Sequence, residues 1–163
     1  MKLNKDNGIT IIVLIITIII MLLLIGGAIQ YGKDAVDTAK LEDVKTDMIS
    51  IKTKAKIEAE QYNFKDIESL TGTPLDEDPQ QGIQQSNYTI PIQLKQVFEA
   101  ELDISKLYIW TQQDLNNKGL NTIKVNQSSF YIVYYNLQDT TSCEVYYSKG
   151  VENKYSLEEL QEL

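Results

Sequence analysis

The sequence predicts an α+β protein in which a long N-terminal helix, transmembrane in its first half and amphipathic in its second, packs on a small antiparallel β-sheet. Three observations predict it. Residues Ile9 to Ile29 carry no charge over 21 positions, and ten of them are Ile. From Leu41 through Val44, Met48, Ile51 and Ala55 to Ala59 or Tyr62, apolar residues recur at spacings of three and four. Beyond residue 121 the period changes to two, in "TIKVN" (122–126), "SFYIVYYN" (129–136) and "SCEVYYSK" (142–149).

At a helical rise of about 1.5 Å per residue, the charge-free run is roughly 30 Å long, the thickness of a bilayer core. Its hydroxyls, Thr10 and Thr17, can each bond a carbonyl of their own helix and need no other partner. The run exceeds the apolar core of about 7–15 residues expected of a cleavable secretory signal. Lys2 and Lys5 precede it, so the N-terminus is expected in the cytoplasm and the remainder outside. No Pro occurs from 9 to 73 and no Gly from 33 to 71, so a single helix is expected from about Ile9 to about Tyr62. Gly26 and Gly27 either loosen that helix or let it pack closely. The apolar stripe of its second half requires cover, and the chain's own C-terminal domain is the expected cover.

Composition excludes several function classes. The chain has 15 Lys+Arg, all of them Lys, against 23 Asp+Glu, for a net charge of −8. An acidic chain without Arg is poorly suited to nucleic acid. It has no His, hence no Ser–His or Cys–His pair and no imidazole metal ligand. No catalytic constellation is found, no cofactor is expected, and the chain reads as a non-enzyme. The lone Cys143 cannot form an internal disulfide and, set among alternating apolar residues, reads as a small buried hydrophobe.

Residues 71–87, "TGTPLDEDPQQGIQQSN", read as a loop. Asp76 and Asp78 in it are calcium candidates, but the spacing fits no EF-hand and a solvated acidic loop is the expectation. "PIQLKQVFEAEL" opens with Pro91 and has an apolar face of Leu94, Val97, Phe98 and Leu102, which predicts a short helix. Thr111 with Asp114 is a capped-turn signature, and Ser156 with Glu159 is a capping box that predicts a last short helix. Trp110 is expected as a core or staple residue rather than as a binding platform. In the middle strand Phe130, Ile132 and Tyr134 share one face and Tyr131, Val133 and Tyr135 the other. Both are apolar enough to pack on the helix, so the pattern does not choose between them. The tyrosines of this region read as strand formers with wettable tips rather than as an aromatic binding surface.

The short Lys-bearing leader that ends at Gly8, followed at once by Ile9, Thr10 and the aliphatic run, resembles the prepilin-type cleavage/methylation segment of type IV pilins and pseudopilins. The likeness is nearest to those of Gram-positive bacteria, and residues 1–30 carry it. It implies cleavage between Gly8 and Ile9 by a prepilin peptidase, because Gly allows close access to an extended backbone, and methylation of Ile9. It implies an assembly helix that includes Ile9, Thr10, Val13, Thr17, Gly26 and Gly27. Where the family usually has Glu, at the fifth position after the cut, this chain has Val13. The implied organisation is a leader at 1–8, a transmembrane helix at 9–30, its amphipathic continuation at 31–62 and an extracytoplasmic head at 63–163, with strands at about 122–148. The implied function is a structural subunit, major or minor, of a type IV pilus or of a type II secretion or competence-type pseudopilus. Implied partners are other pilin subunits, the peptidase, the assembly platform with its ATPase, and membrane lipid before assembly. The alternative is an uncleaved single-pass, membrane-anchored binding or sensor module.

Overall fold

A computed structural model of the chain describes the backbone of residues 5–78, 82–84 and 88–163, and the side chains of 13–22, 38–75 and 88–163. The chain divides into two compact units, Met1–Lys40 and Leu41–Leu163. Helix α1, Lys5–Asn63, supplies all the described backbone of the first unit and opens the second.

In the first unit the described apolar side chains run from Val13 to Leu22, and the large ones are each at least half exposed. The Thr17 hydroxyl donates to the Val13 carbonyl of its own helix, which satisfies it locally. Among the described residues no helix is long and apolar enough to cross a membrane. This corrects the expected transmembrane helix at 9–30, and with it the single-pass topology with a cytoplasmic N-terminus and an external head. Gly8 and Ile9 lie within α1, not in an extended segment. The side chains of Ile9 and Thr10 and the surroundings of Gly26 and Gly27 fall outside the described residues.

The second unit is α+β, but its sheet is larger than a three-strand meander. After α1 come β1 (Thr73–Pro74), β2 (Asp76–Asp78), β3 (Gly82–Gln84), α2 (Ile92–Glu101), β4 (Leu107–Trp110), α3 (Gln112–Asn117), β5 (Tyr131–Tyr134), β6 (Glu144–Val151), β7 (Lys154–Ser156) and α4 (Leu157–Gln161). Five strands form one antiparallel sheet in the order β1-β4-β5-β6-β7, and β2 pairs with β3 separately. The pilin-like architecture is therefore corrected to an α+β fold on a five-stranded antiparallel sheet, with no membrane-spanning helix among the described residues.

Both faces of this sheet are covered, which is why both faces of β5 are apolar. On one face Met48, Ile51, Ala55 and Ala59 of α1 pack with Trp110, Tyr131, Val133, Tyr135 and Val145. On the other, Leu94 and Phe98 of α2 pack with Leu107, Ile109, Phe130 and Ile132. The stripe spaced by three and four in the sequence is the buried face of α1, because only residues one helical turn apart can face the sheet together. The hydroxyl of Tyr131 donates to Asp47 of α1 at 3.1 Å, a polar tie across the same contact. Burial, first of all, and the neighbouring Asp43 raise the Asp47 carboxyl above its ordinary range, although the Tyr131 hydrogen bond opposes them.

Both expected capping boxes form, at Thr111–Asp114 and Ser156–Glu159. Residues 122–126 are not a strand. The Gln112 side chain donates to the Ile123 carbonyl at 3.0 Å and accepts from the Val125 N–H at 3.1 Å, so it takes the place of a neighbouring strand. A single bridge joins Asn126 to Ser129. Gly72 has φ +111°, and a Cβ there would lie 2.9 Å from the Ile109 carbonyl oxygen, so only glycine lets this loop lie against β4.

Strands β6 and β7 are joined by Glu152 and Asn153, both with positive φ, 51° and 63°. A two-residue turn with both centres left-handed matches the twist of a hairpin, but Glu is poorly suited to that conformation. Replacing Glu152 with Asn is expected to raise the unfolding free energy by about 0.5 kcal/mol. Urea denaturation checks this as a higher midpoint at unchanged slope.

Candidate functional site

Two polar constellations stand out in the second unit. The first surrounds Glu58, which is 3 % exposed. One carboxylate oxygen accepts the Thr71 N–H at 2.9 Å, the Thr71 hydroxyl and Lys118 Nζ at 3.1 Å. The other accepts the Tyr135 hydroxyl at 3.0 Å, and Tyr135 in turn accepts Trp110 Nε1 at 3.1 Å. Burial, then the adjacent Glu58 charge, pushes the Tyr135 phenol far above its ordinary value, so it stays a donor. Every group here has a partner, and the network joins α1, the 71–72 loop, β4, β5 and the end of α3. Its chemistry is that of a structural clasp.

The second is a cleft of about 420 Å³ between α2, the β6–β7 hairpin and α4. That volume is within the range of small-molecule sites. Helix α2 contributes Val97 and Glu101, β6 contributes Glu144 and Tyr146, and the chain beyond contributes Tyr155 and Glu158. Their arrangement follows from local structure. Glu144 and Tyr146 are two apart on a strand, hence on one face. Val97 and Glu101 are four apart on a helix, hence on one face. The rim of α4 is set by its capping box, in which Glu159 accepts the Tyr155 and Ser156 N–H groups, each at 2.9 Å. Burial works against the ionised Glu159, but these N–H groups, the Ser156 hydroxyl and Lys154 together hold its carboxyl below the ordinary range.

Tyr146 is 7 % exposed and packs edge-on against Phe98, with ring centroids 5.0 Å apart. Burial first, then the charges of Glu144, Glu101 and Glu159, raises its phenol well above the ordinary value. Glu144 Oε1 accepts Lys52 Nζ at 2.9 Å, while its Oε2 is buried with no hydrogen-bond partner. The lining carries four carboxylates and no lysine. Among the described residues, no three Asp, Glu, Cys or His side chains come together as a metal site.

The expected site residues are not gathered here. Gly8, Ile9, Thr10, Val13, Thr17, Gly26 and Gly27 are all in α1 within the first unit. Asp76 and Asp78 are in β2, and their side chains fall outside the described residues. Cys143 is fully buried, and that burial raises its thiol above the ordinary value, against the reactive direction. Of the cleft residues, the sequence singled out Leu94 and Val97 as a helix face and Ser156 and Glu159 as a capping pair, but it did not bring them together, because they come from three separate segments. The nearest signal was the tyrosine excess in the C-terminal strands.

No protein-family model matches the chain, and neither a curated protein nor a solved structure is similar to it. The resemblance of residues 1–30 to type IV pilins thus has no support from the rest of the chain, and the prepilin processing and pilus or pseudopilus role drawn from it are corrected accordingly.

Proposed function

We propose that the unit Leu41–Leu163 is a non-catalytic binding module and that the α2–hairpin–α4 cleft is its ligand site. The observation that carries this reading is a cleft of ligand size, about 420 Å³, lined by the buried ring of Tyr146 and by several polar groups. Apolar walls with a few convergent polar groups are the usual form of a small-molecule or side-chain site. The non-catalytic part rests on the chemistry available. The chain has no imidazole, and the Ser156 hydroxyl in the cleft is engaged in the α4 cap. An uncommitted nucleophile beside a base is what acyl or phosphoryl transfer would require.

Amide chemical-shift mapping of the full chain with a mixed set of charged and neutral fragments tests the proposal. Perturbations are expected to cluster at Val97, Tyr146 and Tyr155. Val97 is 37 % exposed, so Val97→Trp is expected to fill the cleft without disturbing the core and to abolish those shifts. Fragments that bind elsewhere, or a Val97→Trp chain that binds unchanged, would exclude the cleft as the site.

A further inference from the structure

We infer that the outward face of α1 between Leu41 and Asn63 pairs with the same face of a second copy of the chain, the two helices running antiparallel. The inference does not depend on the cleft, because α1 and α2 cover opposite faces of the sheet. Two independent features lead to it. The first is the surface. Thr46, Ile49, Thr53 and Ile57 follow one another at spacings of three and four, so they form a ridge along the helix. The ridge points away from the sheet, since Met48, Ile51, Ala55 and Ala59 take the buried side. Ile49 is 47 % exposed and Ile57 49 %, and both threonines are exposed. Thr53 donates to the Ile49 carbonyl at 2.8 Å, and Ser50, beside the ridge, donates to the Thr46 carbonyl at 2.9 Å. Hydroxyls satisfied within their own helix need no water, and small side chains let a second helix approach closely.

The second feature is charge. Asp43 and Lys54 are exposed, and among the described residues neither has an ion-pair or hydrogen-bond partner. They are eleven positions apart, about three helical turns, so they border the ridge on one side. Glu42, Ile49 and Lys56 are spaced by seven and share the other side. Glu42 holds Lys45 at 3.1 Å, yet its side chain is still 64 % exposed. A twofold axis at Ile49 lays Lys56 of each copy on Glu42 of the other. The same axis brings Lys54 to within one residue of Asp43. Both borders of the ridge are therefore self-complementary about one axis. Parallel pairing would set each of these charges against its own copy, which is unfavourable.

The size of the face sets the strength of the contact. Glu42 to Lys56 spans about 21 Å of helix. One helix pair of this length buries less than the roughly 1,200 Å² of a standard interface, so the dimer is a weak and reversible one. An unrelated apolar partner is the rival occupant. It would use the ridge, but it gives no reason for charges arranged symmetrically about Ile49.

Cysteine cross-linking of the full chain tests the register. Asp43→Cys and Lys54→Cys are made singly, and the native Cys143 is fully buried. With bismaleimidoethane, a mixture of the two variants is expected to give the 43–54 product in excess over either homodimer. A homodimer of either variant as the main product, or no cross-linked product, would overturn the inference. Sedimentation velocity of the full chain tests the charges. Asp43→Lys and Lys54→Asp are each expected to weaken self-association about tenfold, and the double reversal is expected to restore it. Ile49→Lys, at the axis, is expected to abolish it. These side chains lie outside the core, so urea midpoints are expected to stay unchanged and to show that each variant folds. A double reversal as weak as its single variants, or self-association that no variant alters, would place the contact elsewhere and overturn the inference.

Discussion

Glu58→Ala is expected to lower the unfolding free energy by about 2–4 kcal/mol, because it removes a buried carboxylate that accepts four hydrogen bonds. The reason lies in what remains behind. Without the carboxylate, Lys118 loses its counter-charge, the Thr71 N–H loses its acceptor, and the buried Tyr135 hydroxyl is left with only the Thr71 carbonyl at 3.2 Å. Each abandoned polar group costs about 1–3 kcal/mol when it stays buried. Glu58→Gln keeps the shape and one carbonyl acceptor, so a smaller loss is expected. Urea denaturation checks this against Glu68→Ala, an exposed position expected to change stability by less than about 0.5 kcal/mol. A Glu58→Ala midpoint equal to that of Glu68→Ala would mean that the network does not hold α1 to the sheet.

Phe98→Ala is expected to cost about 3–5 kcal/mol for a different reason. Phe98 is fully buried and is the largest side chain that α2 contributes to the second core. Its ring meets Tyr146 edge-on and lies among aliphatic residues of β4 and β5. The deletion leaves a cavity that strands, paired on both sides, cannot collapse to fill. Val97→Ala, one residue away on the exposed side of the same helix, is expected to cost under about 1 kcal/mol. A small, equal effect of both would mean that α2 is not needed to close the outer face of the sheet.

The two deletions probe opposite faces of one sheet, and the sequence declared those faces unequally. The α1 stripe was legible because a long helix repeats its signal over several turns, from Leu41 to Ala59. The capping boxes at Thr111–Asp114 and Ser156–Glu159 were legible because they are local chemistry, complete within four residues. Strand β4 was not, since four residues, "LYIW", are too few to show a period, and they become a strand by pairing with β1 and β5. The segment 122–126 misled for the opposite reason. It alternates like a strand, yet the amide of Gln112 takes its backbone hydrogen bonds.

For function the division is sharper. The pilin resemblance drew on residues 1–30 alone, in a chain where the described helix supplies no membrane span and which no family model or solved structure matches. The buried Glu58 looked like one more charge on the polar side of an amphipathic helix. Only the arrival of Thr71, Lys118 and Tyr135 from distant segments makes it a buried carboxylate. The cleft is likewise assembled from residues more than fifty positions apart.

By itself the sequence determined the α+β class, the buried stripe of α1, the helix caps and the absence of imidazole chemistry, because each depends on residue type or on spacing within a few turns. Tertiary structure alone decided the five-strand order, the covering of both sheet faces, the partners of Glu58 and the acidic cleft. Those depend on which distant segments meet, and no local period records such a meeting.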